Sequence, residues 1–248
     1  MSAGTGVAPA LGQEHADSPR WWTESPIDRR GALAIVAGYV ALTVVLTVVG
    51  VLVVSAWEGS WFGRRDADIS VFFADRRTPT WTTLSDVASM PSDTVTMVGA
   101  SVVLLPVFLW SFRRWHDWVF LVGALIIEVT TFLTTSTLVG RERPPVEQLD
   151  GAPTDSFPSG HVAAAVVFYV GLAVVVSWHT RNRWIRLPFI ALAVVAPLMV
   201  MASRLYRGMH YVTDELGGLT LGLAALAVMW FAIDRGARGP LDTADHRR

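Results

Sequence analysis

Six apolar runs along the sequence, each close to the length at which a helix crosses a bilayer, constrain the fold more than any other feature. A hydrocarbon core about 30 Å thick requires about 20 apolar residues in helical conformation. Hydrophobic residues make up 52% of the chain and charged residues only 17%, which suits a lipid-facing surface. The sequence therefore predicts an all-α, polytopic membrane protein with six transmembrane helices. The predicted spans are residues 31–57, 95–112, 118–139, 161–178, 187–202 and 216–233.

Polar segments flank this apolar region at both ends of the chain. Residues 1–30 are rich in Gly, Ala, Pro and charge, which is typical of a mobile tail. The first apolar run is too long for a signal peptide and is expected to remain as a spanning helix. The predicted organisation is one membrane domain at residues 31–234, followed by a second polar tail at residues 235–248.

Arginine residues gather on one predicted side of the bundle, and the positive-inside rule makes that side cytoplasmic. Both tails are therefore predicted to lie in the cytoplasm, with the protein in the cell membrane. Residues 58–94, on the opposite side, also contain arginines, interleaved with aspartates and aromatic residues. Their scattered apolar residues predict short amphipathic helices at the interface. The arginines on the predicted cytoplasmic side are Arg29, Arg30, Arg113, Arg114, Arg181, Arg183, Arg186, Arg235 and Arg238.

Charge and residue usage narrow the possible partners and chemistry. The formal net charge is -1 and no basic run occurs, so nucleic acid is not an expected partner. The chain has no cysteine, which excludes disulfides, thiolate zinc sites and cysteine nucleophiles. It also has no lysine, so phosphate contacts must come from arginine guanidinium groups and backbone N–H donors.

Three polar stretches fall on the predicted extracytoplasmic side, and the first of them reads Gly-Arg-Glu-Arg-Pro-Pro at residues 140–145. It places Arg141 and Arg143 where the third predicted span ends. Guanidinium groups bind phosphate oxygens through paired N–H donors, so this stretch can grip a phosphate beside the membrane. An interfacial arginine pair followed by prolines is an equally good interpretation of these residues alone.

The second stretch, residues 157–161, reads Phe-Pro-Ser-Gly-His and runs from a loop into the fourth predicted span. Ser159 and the N–H groups of Gly160 and His161 can therefore face an anion at the start of a helix, where the helix dipole favours negative charge. This pattern indicates a phosphate cradle with a histidine attached. The alternative is an ordinary serine cap followed by a histidine without a chemical role.

The third stretch contains Ser203 and Arg204, followed by His210 and Asp214. The histidine and the aspartate are four positions apart, which predicts that both lie on one helical face. If Asp214 accepts the N–H of one ring nitrogen, the other nitrogen is free and more basic, as a histidine nucleophile requires. An interfacial ion pair is the alternative interpretation.

Together the three stretches resemble the signature of the type 2 phosphatidic acid phosphatase (PAP2) superfamily, which includes lipid phosphate phosphatases and bacterial prenyl-diphosphate phosphatases. Residues 158–161 resemble the second signature element, and Ser203-Arg204 with His210 and Asp214 resembles the third at its full spacing. The resemblance implies a membrane enzyme that removes phosphate from a lipid. Undecaprenyl diphosphate, phosphatidylglycerol phosphate and phosphatidic acid all carry the required phosphoryl group.

The resemblance also implies a role for each catalytic residue. His210 attacks phosphorus and forms a phosphohistidine, Asp214 orients the His210 ring, and His161 protonates the leaving lipid oxygen. No metal or other cofactor is expected, and activity should survive chelators. The expected partners are a lipid phosphate and the bilayer. The residues implied as phosphate contacts are Arg143, Arg204, Ser159 and Gly160.

The first signature element is matched only in part. The lysine that the family usually has seven residues before Arg143 falls here on Ser136. Arg141, in the same turn region, is predicted to supply the missing charge to the phosphate. If it does, Arg141→Ala should matter substantially and Ser136→Ala little.

Three other functions remain open at this point. A phosphotransferase on the same fold would pass the phosphoryl group from His210 to an alcohol instead of water. A lipid transporter would use the same polar residues as a pathway, although such sites usually lie near the membrane midplane and not at helix ends. A family member that binds phospholipid without turnover is the third possibility, suggested by Ser136.

Overall fold

Helices form all the regular structure of the described part of the chain, apart from one isolated bridge between Ile27 and Ile233. The computed structural model describes residues 26–112, 115–151 and 153–233, so residues 1–25 of the first predicted tail and the whole of the second lie outside the described residues. The predicted all-α class is confirmed. The helices are α1 (Arg29–Leu52), α2 (Trp61–Ala74), α3 (Pro79–Ser89), α4 (Thr94–Phe112), α5 (His116–Val139), α6 (Gly160–His179), α7 (Arg183–Tyr206) and α8 (Val212–Ala232), with a π-helical turn at Val53–Trp57 and a 3-10 turn at Met90–Ser92.

Five helices of the described ranges are long and apolar enough to cross a membrane, namely α1 with its π-helical turn, α5, α6, α7 and α8. They coincide with five of the six predicted spans, while α4, a helix of 19 residues, occupies the place of the second. The count of six therefore stays a prediction. Helix α7 extends beyond the predicted span of residues 187–202 although it contains Pro188 and Pro197. Local adjustments and neighbouring helices can satisfy the carbonyl groups that proline leaves free in a membrane helix.

The helices run between two ends of the bundle, and the described termini meet at one of them. Ile27 precedes α1 and pairs with Ile233, which follows α8. At this end His179 Nε2, in the last turn of α6, lies 2.7 Å from Asp117 Oδ2 in the first turn of α5. The opposite end, called the loop end below, contains the end of α5, the start of α6, the end of α7 and the start of α8. All three polar stretches lie at the loop end.

Helix α6 is the central helix and packs against α5, α7 and α8. Its approach to α8 is close because α8 presents glycines. A Cβ atom on Gly218 would lie 2.3 Å from the Ser159 carbonyl oxygen, and one on Gly222 would lie 2.7 Å from the Ala163 carbonyl oxygen. The Ser159 N–H also donates to the Asp214 carbonyl oxygen at 2.9 Å. These contacts fix the start of α6, and with it His161, against the first turn of α8.

Residues 58–94, predicted to form short amphipathic helices, contain α2, α3 and the 3-10 turn. Ser60 and Thr78 cap the two helices with their side-chain oxygens. Both helices lie at the loop end, where the Ser203 hydroxyl donates to the Ser85 carbonyl oxygen at 2.6 Å. Their position relative to a membrane interface remains a prediction.

Candidate active site

One cavity, whose polar end lies at the loop end, brings together four side chains that were predicted from the sequence. The cavity has a volume of about 670 Å³, and His161, His210, Arg143 and Arg204 all form part of its wall. The backbone of Gly160 lines it as well. These residues belong to three stretches that are far apart in the chain, so only the packing of α5, α6, α7 and α8 makes them neighbours.

His210 is held in one orientation by a backbone group. Its Nδ1 atom lies 2.9 Å from the carbonyl oxygen of Ser156 and 3.7 Å from Asp214 Oδ2. A carbonyl oxygen can only accept a hydrogen bond, so this bond requires the proton on Nδ1. The Nε2 atom then carries the lone pair, and the His210 side chain lines the cavity. The geometry suits nucleophilic attack through Nε2.

Two details of the predicted His210–Asp214 pair are wrong. The hydrogen-bond acceptor for Nδ1 is the Ser156 carbonyl, because the distance to Asp214 is too long for a hydrogen bond. His210 also does not share a helical face with Asp214, since α8 begins only at Val212 and Tyr211 is its N-cap residue. The Asp214 carboxylate accepts the backbone N–H of Tyr211 at 2.9 Å, which caps the start of α8 immediately after His210.

Asp214 is fully buried and satisfied by donors from three parts of the chain. Its Oδ2 atom accepts the Ser156 hydroxyl at 2.5 Å, and its Oδ1 atom accepts Arg141 Nη1 at 2.5 Å. Burial lowers the pKa of His210 below its usual value, while the adjacent Asp214 carboxylate opposes this effect by favouring the charged ring. Asp214 thus both positions the segment around His210 and adds negative charge beside it.

Arg141 lies behind the cavity wall and not on it, contrary to the prediction that it contacts phosphate. The side chain is 2% exposed and bonds to Asp214 and to the Thr213 hydroxyl, the latter at 2.7 Å. It also lies 3.5 Å from Asp66 Oδ2 and 3.3 Å from Glu58 Oε1. Burial alone would lower the pKa of Arg141, but the three carboxylates outweigh that effect and raise it. Within the described residues, the hydrogen bonds and ion pairs of its guanidinium are all with these protein groups, and we infer that Arg141 holds Asp214 in position.

Ser136, at the position of the family's usual lysine, is buried in α5. Its hydroxyl donates to the Asp155 carbonyl oxygen at 3.3 Å. Arg141 does not replace the missing lysine charge at the cavity wall, because its guanidinium lies behind the wall and pairs with carboxylates.

Arg204 is held at the cavity wall by an aspartate that the sequence analysis did not single out. Its Nη1 atom donates to Asp150 Oδ2 at 2.7 Å and to the Ser89 hydroxyl at 3.0 Å. Asp150 also accepts from Arg207 Nε at 2.7 Å and from Arg207 Nη2. The hydrogen bonds from Arg207, together with the charge of Arg204, keep the pKa of Asp150 low. This arrangement orients Arg204 and leaves its buried Nε atom without a hydrogen bond to any described residue.

Arg143 is fixed by two backbone carbonyl groups. Its Nη2 atom donates to the Thr154 carbonyl oxygen at 3.0 Å, and its Nη1 atom donates to the Met209 carbonyl oxygen. Burial and the nearby Arg204 lower the pKa of Arg143, but a guanidinium remains charged at physiological pH. Arg143 and Arg204 thus place two positive charges on one cavity wall, and in the described ranges only Arg204 is paired with a carboxylate, that of Asp150. Such a wall attracts an anion.

The start of α6 contributes the second histidine. Gly160 and His161 line the cavity, whereas Ser159 is fully buried behind them. The Ser159 hydroxyl forms no hydrogen bond with any described residue. His161 Nε2 lies 3.5 Å from Asp93 Oδ1, just before α4. Burial raises the pKa of Asp93, which Arg204 opposes.

Beyond this polar end the cavity is lined mainly by apolar side chains of α4 and α5. A channel of this kind suits a substrate with a charged head and a hydrocarbon tail. One carboxyl, that of Glu128, also lies on its wall. In the described ranges no group of three or more His, Cys, Asp or Glu residues has the geometry to hold a metal ion.

The contacts that sequence reasoning missed are those of Asp150, Asp66, Asp93 and the Ser156 carbonyl. Each acts on a residue far away in the chain, such as Arg204, 54 positions from Asp150, or Arg141, 75 positions from Asp66. A backbone carbonyl has no residue signature at all. Asp93 and Asp150, which lie outside the helices, resemble ordinary solvated residues until the fold is known.

The C-terminal part of the chain is similar to proteins of one family. Residues 118–237, which contain all three polar stretches, match the sequence profile of the PAP2 superfamily. Phosphatidylglycerophosphatase B of Bacillus subtilis (strain 168) is 32% identical over 140 residues, covering 52% of this chain and 67% of that protein. The putative undecaprenyl-diphosphatase YbjG of Escherichia coli (strain K12) is 31% identical over 150 residues, covering 57% and 70%.

Two crystal structures share the fold. The transmembrane PAP2-type phosphatidylglycerolphosphate phosphatase of Bacillus subtilis aligns with a TM-score of 0.65 at 21% identity, covering 76% of this chain and 94% of that one. LpxE of Aquifex aeolicus aligns with a TM-score of 0.52 at 20% identity, covering 66% and 93%. These likenesses confirm a helical fold of the multi-pass membrane type.

Proposed function

This chain belongs to the PAP2 superfamily, and from that membership we propose that it is a membrane phosphatase that hydrolyses a lipid phosphate. The two relatives at over 30% identity are named for the hydrolysis of phosphatidylglycerophosphate and undecaprenyl diphosphate. The proposed substrate has the same character, a phosphoryl group on an amphiphile whose tail stays in the bilayer.

The observation that carries this proposal is the shared cavity. His161, His210, Arg143 and Arg204 line one end of it, and apolar side chains of α4 and α5 line the rest. A transporter site would be expected near the middle of the bundle, whereas these four residues lie at its loop end. The combination of nucleophile, second histidine and two cations favours phosphoryl chemistry.

The proposed reaction has two steps. The lone pair on His210 Nε2 attacks phosphorus while the bond from phosphorus to the lipid oxygen breaks, and protonated His161 gives its proton to that oxygen. Water then attacks the phosphohistidine, His161 takes a proton from the water, and inorganic phosphate leaves. Arg143, Arg204 and the N–H groups at the start of α6 stabilise the negative charge on the phosphoryl oxygens. The negative substrate itself favours the protonated state of His161.

The membrane arrangement is also part of the proposal. We propose a membrane domain at residues 31–234 between cytoplasmic tails at residues 1–30 and 235–248, with the active site on the extracytoplasmic side. The support is the arginine distribution in the sequence, read by the positive-inside rule. The bridge between Ile27 and Ile233, which puts both termini of the bundle at one end, is consistent with it.

The test is phosphate release by the purified protein from a panel of lipids in detergent micelles. The panel contains phosphatidic acid, phosphatidylglycerol phosphate and undecaprenyl diphosphate, each with and without an acceptor alcohol. We expect inorganic phosphate from at least one lipid, and no release from any of them would contradict the proposal. Transfer of the phosphoryl group to the acceptor in place of water would assign the protein to the phosphotransferases.

The same assay of phosphate release is repeated in the presence of the chelator EDTA. Because guanidinium and N–H groups supply the charge stabilisation in the proposed mechanism, we expect the rate to be unchanged by EDTA. Loss of activity with EDTA, restored by Mg²⁺, would contradict the mechanism.

The pH dependence of the wild-type enzyme is a second test. Protonation of His210 removes its lone pair, so the rate should fall as the pH drops through the pKa of His210. Burial lowers that pKa, and therefore the acid limb of kcat/KM should lie below the usual histidine value of about 6.5. Asp214→Asn removes the opposing charge and should move the limb further toward acid. A limb above that usual value, or a move in the other direction, would disagree with this account.

A further inference from the structure

The apolar arm of the cavity, defined here by Met97, Trp118, Leu125 and Phe132 on its wall, extends far from the phosphate end. Along α5 it reaches from Phe132 to Trp118, which corresponds to about 21 Å of helix. The ring of Phe132 lies at the level of the start of α6, since a Cβ atom on Gly160 would be 3.0 Å from it. The arm therefore begins beside the phosphate end and continues into the bundle.

Glu128 interrupts this apolar surface. It lies one helical turn from Phe132 along α5, about 6 Å deeper than the phosphate end. The residue is 3% exposed and lines the cavity. No other group in the described part of the chain forms a hydrogen bond with its carboxyl. A carboxyl that served only to join helices would be expected to bond with a neighbouring helix, and this one does not.

A second polar side chain lies in the same arm. Ser101 on α4 is 8% exposed, lines the cavity, and its hydroxyl has no hydrogen-bond partner among the described residues. Buried polar groups without partners are rare because they lose hydrogen bonds to water on folding. A bound molecule with oxygen atoms a few bonds beyond its phosphate can supply the missing partner to Glu128.

We propose that Glu128 is a specificity-determining residue that binds the oxygen-bearing linkage of a glycerol-based lipid phosphate. The inference rests on the proposed function. An ester carbonyl accepts a hydrogen bond from a protonated carboxyl, and a free hydroxyl either donates to it or accepts from it. A polyprenyl phosphate offers only hydrocarbon at this depth, so it leaves Glu128 without a partner. A site built to bond with a polar group rejects the analogue that lacks it.

The test compares two monophosphates, phosphatidic acid and a polyprenyl phosphate, by kcat/KM for phosphate release in the same micelles. The variants are Glu128→Leu and the conservative Glu128→Gln, with Thr130→Leu on the exposed side of α5 as the matched control. We expect the wild type to prefer phosphatidic acid. Glu128→Leu should lower kcat/KM for phosphatidic acid about 10-fold or more and change that for the polyprenyl phosphate less than about 3-fold. Glu128→Gln and Thr130→Leu should retain the preference.

Equal losses on both substrates in Glu128→Leu, or a wild-type preference for the polyprenyl phosphate, would overturn the specificity role while leaving the proposed function intact. A wild type without activity on either lipid would overturn both. If the leucine variant does not elute as a folded species, Glu128→Met preserves the side-chain length and takes its place. The wild-type preference is in any case measured on the unaltered chain.

Discussion

Alanine in place of His210 is expected to abolish phosphate release, lowering kcat by about 10⁴-fold or more, because no other group can form the bond to phosphorus. The ring lines the cavity and its Nδ1 atom bonds to the Ser156 carbonyl. Truncation removes that one hydrogen bond, so the protein should still be extracted from membranes as a folded species. The measurement is phosphate release under single-turnover and steady-state conditions, with size-exclusion chromatography as the check on folding.

A phosphorylated intermediate separates this mechanism from one in which water attacks directly. The wild type, quenched during turnover of a substrate labelled at phosphorus, should retain an acid-labile label on histidine. His210→Ala should retain none, and His15→Ala, in the segment before the described residues, should behave as the wild type does. Turnover by His210→Ala at more than about one hundredth of the wild-type rate would rule out His210 as the nucleophile.

Arg141→Ala is the second large change, and its expected effect follows from what the guanidinium touches. Removing it leaves Asp214 and Asp66, 0% and 6% exposed, as buried carboxylates without their main counter-charge. Loss of one partner from a buried ion pair destabilises a protein by about 3–5 kcal/mol. Because Asp214 closes the turn after His210, we also expect kcat to fall by about 10²-fold or more.

The split between kcat and KM decides between the two roles considered for Arg141. A residue that positions Asp214 changes kcat and the unfolding midpoint with little effect on KM, whereas a phosphate contact would raise KM. Arg141→Lys should recover only part of the loss, since an ammonium group cannot reach three carboxylates at once. Ser136→Ala, which loses one long hydrogen bond of 3.3 Å, is the matched control and should stay near wild type. Equal and negligible effects of both alanine variants would remove Arg141 from the site.

The sequence predicted the five membrane-length helices of the described ranges, and it predicted that Arg143, His161, Arg204 and His210 come together at one site. The length of an apolar run identifies a membrane span without tertiary information. Arg204 and His210 come together because one lies in the last turn of α7 and the other lies in the short loop before α8. The prediction for α7 fell short because hydropathy declines near its ends, where Arg183 and Arg204 are still helical. A helix in a packed bundle continues past its apolar core as long as its backbone bonds are satisfied.

The orientation of the site residues could not be read from the sequence. A spacing of four positions predicted His210 and Asp214 on a common helical face, but Tyr211 is the N-cap of α8, so that helix begins only after His210. The prediction for Arg141 failed for a related reason. The sequence prediction paired the charge of Arg141 with the substrate. In the structure Arg141 forms ion pairs with three acidic side chains, two of them from the segment between α1 and α3.

The position of Asp66 and Glu58 has a consequence for where a self-sufficient unit of this protein begins. The region shared with the family profile starts at residue 118, yet both acids come from much earlier in the chain. Asp66 also accepts the N–H of Val212 at 2.8 Å and the hydroxyl of Thr213 at 2.5 Å. A shortened protein that began at residue 118 would keep every proposed catalytic residue. It would still lose Asp66 and Glu58, whose contacts hold Arg141 and the first turn of α8 in place. The catalytic residues and the residues that support them therefore begin at different points of the chain.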